Sequence, residues 1–183
     1  MHVKLQLVMC SDDGQEETIT DLVTVQKDAQ RIEHLGLTLA EAKQLLNTIQ
    51  QRVLQRQVDT FLDVCSTCKD CGAPLKVKGF HTRSFRTLFG TFTLPSPRRE
   101  LCPCKCPEPS SFRPLSALLT DSVAPELLSM EAKWSSLVAY GMSLDALQDF
   151  LPLDRTLDVK TVRYDTLKVA KRMEAELGEE RQV

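Results

Sequence analysis

Two cysteine motifs decide the fold of the middle of this chain: Cys68-Lys-Asp-Cys71-Gly72 and Cys102-Pro-Cys104-Lys-Cys106. The first has the spacing of a metal-binding knuckle, in which the glycine lets backbone amides turn toward sulfur. Six of the seven cysteines lie in this part of the chain. Clustering at such short spacings favours metal ligands over disulfides in a reducing compartment.

We expect a structural zinc ion, since Zn²⁺ prefers four thiolate or imidazole ligands in a tetrahedron. The second pair of ligands comes from the second motif, with Cys106 as the substitute for Cys104. A redox pair and inert buried thiols are the alternatives, but the βαβ context of a thioredoxin-type pair is missing from the pattern. Cys65 ends a helical stripe and is expected to be a small buried hydrophobe. The predicted ligands are Cys68, Cys71, Cys102 and Cys104.

Short β-prone runs fill the space between the two motifs, at Lys76 to Phe80, Ser84 to Phe89 and Thr91 to Leu94. Glycines and prolines punctuate them. Each run is too short to bury a core alone, and small sheets of this kind usually need a staple. The cysteines flank the runs on both sides, where such a staple is needed.

The N-terminal residues predict a β-hairpin. Val3 to Met9 alternates apolar and polar side chains, Ser11 to Gly14 has turn chemistry, and Thr18 to Val25 is rich in β-branched residues. A short helix after Glu17 competes with the second strand.

A long amphipathic helix follows. Thr38 and Glu41 form a predicted capping box at its start. Its stripe packs either on its own domain or on a copy of itself, and the drift of the heptad register near Arg56 favours the first. The apolar stripe consists of Leu39, Ala42, Leu46, Ile49, Val53, Leu54, Val58, Phe61, Leu62 and Cys65.

Helical periodicity returns after Pro114 and predicts three helices with tight turns, an arrangement compatible with a helix-turn-helix. The expected helices are Glu126 to Tyr140 stopped by Gly141, Leu144 to Leu151 capped by Ser143 and ended by Pro152, and Val159 to about Leu177 capped by Asp158 and closed by Gly178.

The predicted fold class is therefore α+β, with a long helix, a zinc-ribbon-like module and a helical C-terminal module. The expected segments are a hairpin at 1–30, the helix at 31–64, the zinc-ribbon-like module at 65–114 and the helical module with helix-turn-helix character at 115–183.

Charge is unevenly distributed along the chain. Between Lys76 and Arg113, eight Lys or Arg stand against two acids, a net charge of +6, whereas the rest carries −8 of the total of −2. A basic module in an acidic chain favours a polyanionic partner, and a merely solvated basic face is the alternative. No apolar run approaches the roughly 18 residues that a membrane span needs, so we expect a cytoplasmic protein without membrane contact.

Alternation along the β runs would bring several cations to one face, where they neutralise phosphates. The third C-terminal helix offers a second basic surface, for which an ordinary amphipathic helix is the alternative. A scarcity of aromatics for base stacking disfavours RNA as the partner. The predicted nucleic-acid contacts are Lys76, Lys78, His81, Arg83, Arg86, Arg98 and Arg99 in the β module, and Lys160, Thr161, Arg163, Tyr164 and Lys168 in the helix.

Catalytic motifs are missing from the sequence: it has no glycine-rich phosphate loop, no metal-ligating His pair on a helix and no Ser nucleophile elbow. We therefore expect a protein that is not an enzyme.

Taken in order, the motifs resemble the N-terminal part of an insertion-sequence transposase of the ISKra type. The residues that carry the resemblance are Leu35-Gly-Leu-Thr-Leu-Ala-Glu-Ala-Lys43, Cys68-x-x-Cys71-Gly72 with Lys78-Gly79, Arg86-Thr-Leu-Phe-Gly90, Ser96-Pro-Arg98, Cys102-Pro-Cys104, Pro114-Leu115 with Leu118-Leu119, Ala124-Pro-Glu-Leu127, Glu131-Ala-Lys-Trp-Ser-Ser-Leu-Val-Ala-Tyr140, and Leu151-Pro152 with Thr161-Val162-Arg163.

The resemblance implies a region that recognises duplex DNA at transposon ends, ahead of a DDE-type nuclease domain. The sequence stops at Val183, where the family continues into the domain that holds the catalytic carboxylates, so strand transfer does not carry over to this chain. The implied partners are duplex DNA and a full-length transposase or a separate catalytic chain. An alternative function is a protein-interaction or dimerisation adaptor built on the helix at 38–64, which would make a homodimer.

Overall fold

The computed structural model describes residues 1–10, 16–28, 30–104, 108 and 110–180. It confirms a mixed α+β architecture with one long helix and two small antiparallel sheets. Contacts divide the chain into two compact units, Met1–Val53 and Leu54–Val183, and the boundary falls inside the long helix.

The strands are β1 (His2–Cys10), β2 (Glu16–Gln26), β3 (Val77–Thr87), β4 (Gly90–Glu100) and β5 (Ser111–Phe112). A 3₁₀ turn at Ile32–His34 precedes the helices, which are α1 (Leu39–Val64), α2 (Pro114–Leu118), α3 (Pro125–Ser135), α4 (Tyr140–Phe150) and α5 (Val159–Glu180).

The first unit contains the predicted hairpin. β1 pairs antiparallel with β2 from His2 opposite Gln26, with register shifts after Leu5 and after Met9. The residues expected to form its turn, Ser11 to Gly14, lie outside the described residues. Val25 is the one buried hydrophobic residue among those described in this unit. A two-stranded sheet with so little burial is marginal by itself.

The capping box at the start of α1 is confirmed. The Thr38 amide donates to Glu41 Oε2 at 2.8 Å, and the Glu41 amide donates to Thr38 Oγ1 at 3.2 Å. Lys27 also pairs with Glu41. The bond from Lys27, followed by the Thr38 amide, lowers the pKa of Glu41 to about 2. Two of the helix's orphan donors are thereby satisfied, as the sequence predicted.

The sheet of the second unit differs from the three short strands that were expected. The runs at Lys76 to Phe80 and Ser84 to Phe89 belong mostly to one strand, β3, which passes through Gly79 at a register shift. β4 runs on through Pro95 and Pro97. Among the described residues, β5 pairs with β4 only at Arg99 and Glu100. The proline stretch therefore has one open edge, where a missing N–H donor is tolerated.

The core of this sheet forms against the C-terminal half of α1. Val58 and Leu62 of α1 pack with Phe92 and Leu94 of β4 and with Leu115 of α2. Only the last third of the predicted stripe is thus buried, since Leu39 and Leu46 remain 51% and 41% exposed.

Two glycines were wrongly expected to end helices. α3 ends at Ser135, Gly141 lies in the first turn of α4, and α5 continues past Gly178. A glycine ends a helix through a left-handed φ, and neither Gly141 nor Gly178 has one. Ser143 is likewise not a cap: its buried hydroxyl donates to the Ala139 carbonyl at 3.2 Å.

The cap at Asp158 is confirmed, because its Oδ1 accepts the Thr161 amide at 2.7 Å. Within the described part of the chain, every helix is too short or too polar to cross a bilayer.

A buried ionic cluster fastens β3 to the helices. Arg86 of β3 donates through Nη2 to Asp165 Oδ2 of α5 at 2.6 Å, and its Nη1 lies 4.0 Å from Glu131 Oε1 of α3. Both carboxyl groups are almost completely buried. Burial, and then the neighbouring Asp165, raise the pKa of Glu131 to about 8, although Arg86 opposes the shift. One guanidinium therefore faces two acids, of which Glu131 is held in its neutral form near neutral pH.

We predict that Glu131→Gln flattens the pH dependence of stability. The pKa of Glu131 is raised from 4.5 to about 8 in the folded chain. The folded state thus retains a proton that the unfolded state has lost. The contribution of Glu131 to the free energy of unfolding is therefore greatest below its ordinary pKa of 4.5. That contribution falls as the pH rises toward 8, by at most about 1.4 kcal/mol per pH unit. Glutamine keeps the shape without the titration.

Urea unfolding followed by circular dichroism from pH 5 to pH 8 measures this difference. Glu126→Gln, on the exposed first turn of the same helix, is the matched control and should keep the wild-type slope. Parallel pH profiles for wild type and Glu131→Gln would contradict the prediction.

Candidate metal centre and cationic surface

Four cysteines from the two sequence motifs meet in the second unit. The sulfurs of Cys68, Cys71, Cys102 and Cys104 all lie within 4.8 Å of one another. Cys68 Sγ is 3.5 Å from Cys104 Sγ, and Cys71 Sγ is 3.4 Å from Cys102 Sγ. These separations are far longer than the roughly 2.05 Å of a disulfide. The predicted ligand set is therefore brought together as free thiols.

The first pair is held by a tight backbone turn after α1. The Cys68 amide donates to the Ala73 carbonyl at 2.8 Å, and the Leu75 amide donates to the Ser66 carbonyl at 2.8 Å. Gly72 has a φ of +72°, a conformation that costs glycine little. This turn directs the Cys71 and Ala73 amides at the sulfurs of Cys68 and Cys71 respectively. The sequence motif therefore forms the knuckle that its spacing predicted.

The second pair follows the end of β4. The Glu100 amide donates to the Lys76 carbonyl at 2.8 Å, which ties the end of β4 to the start of β3. The Leu101 amide donates to the Ser110 carbonyl at 2.9 Å. These bonds fix the backbone just before Cys102, which lies opposite the knuckle. A β-hairpin thus separates the two cysteine pairs in sequence and closes on itself in space.

The geometry fits a tetrahedral metal ion. Four sulfurs at about 2.3 Å from a central ion would stand about 3.8 Å apart, close to the observed separations. The set contains only sulfur donors, with Cys68 and Cys102 buried and Cys71 and Cys104 exposed. Sulfur-only tetrahedral sites are typical of structural metals, because all four positions are filled by the protein.

The thiols influence one another strongly when no cation is present. The Cys71 amide lowers the pKa of Cys68 to about 7. The Ala73 amide lowers the pKa of Cys71, but the thiols of Cys102 and Cys68 outweigh it and the net pKa is raised. Hydrogen bonds with the other three thiols, Cys102 first, raise the pKa of Cys104. Four thiolates cannot share this volume without a positive ion, which is the electrostatic condition that a bound metal satisfies.

The remaining cysteines stay outside the cluster. Cys10 is exposed in the first unit. Cys65 is half-buried beside Phe61 and Phe112 in an apolar cavity of about 500 Å³, as suits a small hydrophobe. Cys106, the substitute ligand, lies outside the described residues.

Five of the basic residues predicted to contact nucleic acid from the β module are exposed or half-buried. Lys76, His81 and Arg98 are exposed on or beside β3 and β4, and Arg83 is half-buried. Lys78 is partly exposed and pairs with Glu100 at 3.0 Å. These residues form the cationic surface, a name kept here for Lys76, Lys78, His81, Arg83 and Arg98.

Two arginines expected at phosphates have structural roles instead. Arg86 belongs to the buried cluster with Asp165 and Glu131. Arg99 donates to the carbonyls of Leu75 and Leu62 at 3.3 and 3.4 Å, and so ties β4 to the knuckle and to α1. Correcting the expectation, neither guanidinium is free to bind a phosphate, because sequence alone does not show which cations face inward.

The predicted contact residues near the start of α5 also include both exposed and internally bonded side chains. Lys160, Arg163 and Tyr164 are exposed, the tyrosine by 68%. The Thr161 hydroxyl donates to Asp158 Oδ1 at 2.7 Å as part of the helix cap. Lys168 pairs with Asp121. Thr161 and Lys168 are thus engaged in internal contacts, and their contact with nucleic acid stays a prediction.

Two notable residues were missed by the sequence analysis. Glu131 is completely buried and lies opposite Arg86, and no local pattern marks such a long-range pair. Phe80 is 79% exposed on β3. Its signal was the alternation along the strand, but the predicted run ended at Phe80 and so did not show which face that residue occupies.

Comparisons of this chain with protein-family models, with curated proteins and with solved structures find no match.

We predict that Cys71→Ser removes the bound metal and loosens the hairpin that the cysteines enclose. Serine keeps the size of the side chain but is a poor ligand for a soft thiolate site. Because metal-binding free energy is folding free energy at such a site, the thermal unfolding midpoint should fall by 10 °C or more, on the order of a few kcal/mol. Metal per chain is measured by plasma mass spectrometry and unfolding by circular dichroism.

Cys10→Ser is the matched control, because Cys10 is another exposed cysteine but lies outside the cluster. It should leave both metal content and midpoint unchanged. Equal effects of the two substitutions, or wild-type protein that contains far less than one metal ion per chain, would reject the site.

Proposed function

We propose that this chain is a DNA-binding protein in which a zinc ion, held by Cys68, Cys71, Cys102 and Cys104, stabilises a zinc-ribbon-like module. Zinc is the ion that a closed site of four thiolates most often holds in a protein that is not a redox carrier. In this role the metal is structural, since all four coordination positions are filled by sulfur. The function lies in the surface that the metal supports.

The observation that carries the proposal is the position of the cationic surface on the hairpin that the four sulfurs close. Lys76 precedes β3, His81 lies within it, and Arg98 lies on the paired strand β4. One member of this surface, Lys78, is paired with an acid, Glu100. An excess of positive charge on a rigid hairpin suits the phosphate backbone of a nucleic acid.

The helices α3, α4 and α5 supply a second contact with helix-turn-helix character. α5 buries Val162 completely, whereas Lys160, Arg163 and Tyr164 are exposed near its N-terminus. A recognition helix places N-terminal residues of this kind in the major groove of duplex DNA. In this proposal the cationic surface positions the duplex and α5 reads base edges.

The resemblance to transposases of the ISKra type indicates which DNA the chain would bind. By that analogy the chain binds duplex DNA at transposon ends, and a full-length transposase or a separate chain supplies strand transfer. The chain itself is proposed to have no strand-transfer activity. No residue of the motifs quoted for the resemblance matches the metal-binding carboxylates of the nuclease domain.

A second candidate function is self-association, and one specific observation favours it. The half of α1 that lies in the first unit keeps Leu39 and Leu46 exposed by 51% and 41%. With Ala42, Ile49 and Val53 they repeat at alternating steps of three and four residues, the spacing of a two-helix seam. The proposed adaptor helix thereby narrows to residues 39–53, because Val58 and Leu62 are already buried in the second unit.

We predict that replacing Lys76 and Arg98 together by glutamine weakens DNA binding at every sequence. Each phosphate contact contributes about −0.9 to the slope of log affinity against log salt, so the double variant should bind with a slope shallower by about two. Fluorescence anisotropy with a labelled duplex, titrated from low to physiological salt, measures both effects.

Arg52→Gln is the control, because Arg52 is an exposed arginine on α1 outside the cationic surface. It should leave the slope unchanged. If the wild-type chain shows no affinity for duplex DNA at low salt, the proposed function is rejected.

We predict that Leu46→Glu abolishes any self-association of the chain without unfolding it. The side chain is exposed by 41%, so the substitution costs the isolated chain little, whereas a charge in a helical seam opposes pairing. Analytical ultracentrifugation at tens of micromolar distinguishes dimer from monomer. A wild-type monomer at that concentration would exclude the second candidate.

A further inference from the structure

The cysteine cluster, formed by the sulfurs of Cys68, Cys71, Cys102 and Cys104, contains two short contacts that each join one sequence motif to the other. Cys68 Sγ lies 3.5 Å from Cys104 Sγ, and Cys71 Sγ lies 3.4 Å from Cys102 Sγ. Because a disulfide has a sulfur–sulfur distance of about 2.05 Å, a movement of about 1.5 Å would allow either bond to form. The folded chain therefore holds the four sulfurs as two pairs that small side-chain movements can join.

Each pair contains one cysteine that is exposed to solvent and one that is buried. Cys71 and Cys104 are exposed, whereas Cys68 and Cys102 are only 6% and 7% exposed. An oxidant in solution therefore reaches the exposed member of each pair first. The buried member lies next to it, at a distance that suits a second, resolving step. An accessible cysteine beside a partner sulfur is typical of oxidation-sensitive sites.

We infer that the cysteine cluster is an oxidation site, at which hydrogen peroxide replaces the metal by two disulfides, Cys68–Cys104 and Cys71–Cys102. This inference rests on the metal site of the proposed function and adds a covalent modification of that same site. Coordination to a cation keeps cysteine sulfurs as thiolates, which is the form that reacts with peroxides.

The reaction balances for each pair of cysteines. The thiolate of the exposed cysteine attacks one oxygen of hydrogen peroxide, the O–O bond breaks, and a sulfenic acid and a hydroxide are formed. The thiolate of the buried cysteine then attacks the sulfenic sulfur, and the disulfide forms with release of a second hydroxide. Two thiolates are thus oxidised and one peroxide is reduced for each disulfide. Since disulfide sulfurs carry no charge, the metal loses its ligands and is released.

The pairing of the cysteines determines what happens to the hairpin of β3 and β4. Cys71 and Cys102 are 31 residues apart, and Cys68 and Cys104 are 36 residues apart. Covalent links over such long loops stabilise the folded state by restricting the unfolded chain. Disulfides within a motif would instead leave the two ends of the hairpin unconnected. The hairpin therefore stays closed in both states, by the metal when the chain is reduced and by disulfides when it is oxidised.

The test treats the metal-loaded full chain with hydrogen peroxide at about two molecules per chain, the amount that two disulfides consume. We expect the loss of the four thiols of the cluster by thiol titration. A chromogenic chelator should detect the release of about one metal ion per chain. Trypsin cleaves after Lys69 and separates Cys68 from Cys71, so tandem mass spectrometry of the linked peptides identifies each pairing. At lower peroxide, a reagent that traps sulfenic acids should label Cys71 and Cys104 rather than their buried partners.

The thermal unfolding midpoint distinguishes a closed hairpin from an open one. The oxidised chain should unfold within about 5 °C of the metal-loaded chain, because two covalent links replace the ion. The reduced chain stripped of metal by a chelator should unfold about 10 °C lower or more. Cys10→Ser is the matched control, since Cys10 is exposed but lies outside the cluster, and it should change neither the metal release nor the pairing.

The outcomes separate this inference from the proposed function. Disulfides within a motif, a pairing that includes Cys65 or Cys106, or trapping on the buried cysteines would overturn the oxidation site while leaving the metal site and DNA binding intact. The same holds for thiols that survive peroxide with the metal still bound, and for an oxidised chain that unfolds as low as the stripped one. An untreated chain that contains far less than one metal ion would reject the zinc site, and this inference with it.

Discussion

The second unit depends on the closure of one long hairpin by four sulfurs. Cys71 and Cys102 are 31 residues apart in sequence and have their sulfurs 3.4 Å apart in space. Bringing such distant residues together costs about 3 kcal/mol of chain entropy. The buried hydrophobic cluster beneath β4 contains five residues, which is little for a sheet that must also order two strands of 11 residues each. A structural metal bound by the four sulfurs would contribute about 10 kcal/mol or more at neutral pH, enough to offset that closure.

Local patterns predicted those parts of the fold that local physics determines. The capping box of Thr38 and Glu41, the cap at Asp158 and the knuckle at Cys68 and Cys71 each involve residues no more than three apart, and all were predicted. The meeting of Cys102 and Cys104 with the knuckle was also predicted, because closely spaced cysteines of this pattern favour a shared metal ion.

The errors arose where a residue's role depends on distant partners. Gly141 was taken as the end of a helix, although it lies in the first turn of α4. Arg86 and Arg99 were predicted to be surface cations, although their partners lie far away in the sequence. Counting them as surface cations overstated the positive charge of the β module. In the folded chain Arg86 meets Asp165, so the separation of charge along the sequence is partly cancelled in space.

β3 connects these features, because different interactions fix its two ends. At the Val77 end, the neighbouring backbone is bonded to the end of β4 just before Cys102. At the other end, the Arg86 amide donates to the Ser122 carbonyl at 2.8 Å, the Arg86 carbonyl accepts the Ala124 amide at 2.8 Å, and the guanidinium is paired inside the helical module. A strand anchored at both ends loses little further entropy when its middle binds a ligand, because that cost is met on folding. His81 and Arg83 of the cationic surface lie in that middle stretch, so the cysteine cluster and the buried ionic cluster jointly preorganise this part of the surface proposed to bind DNA.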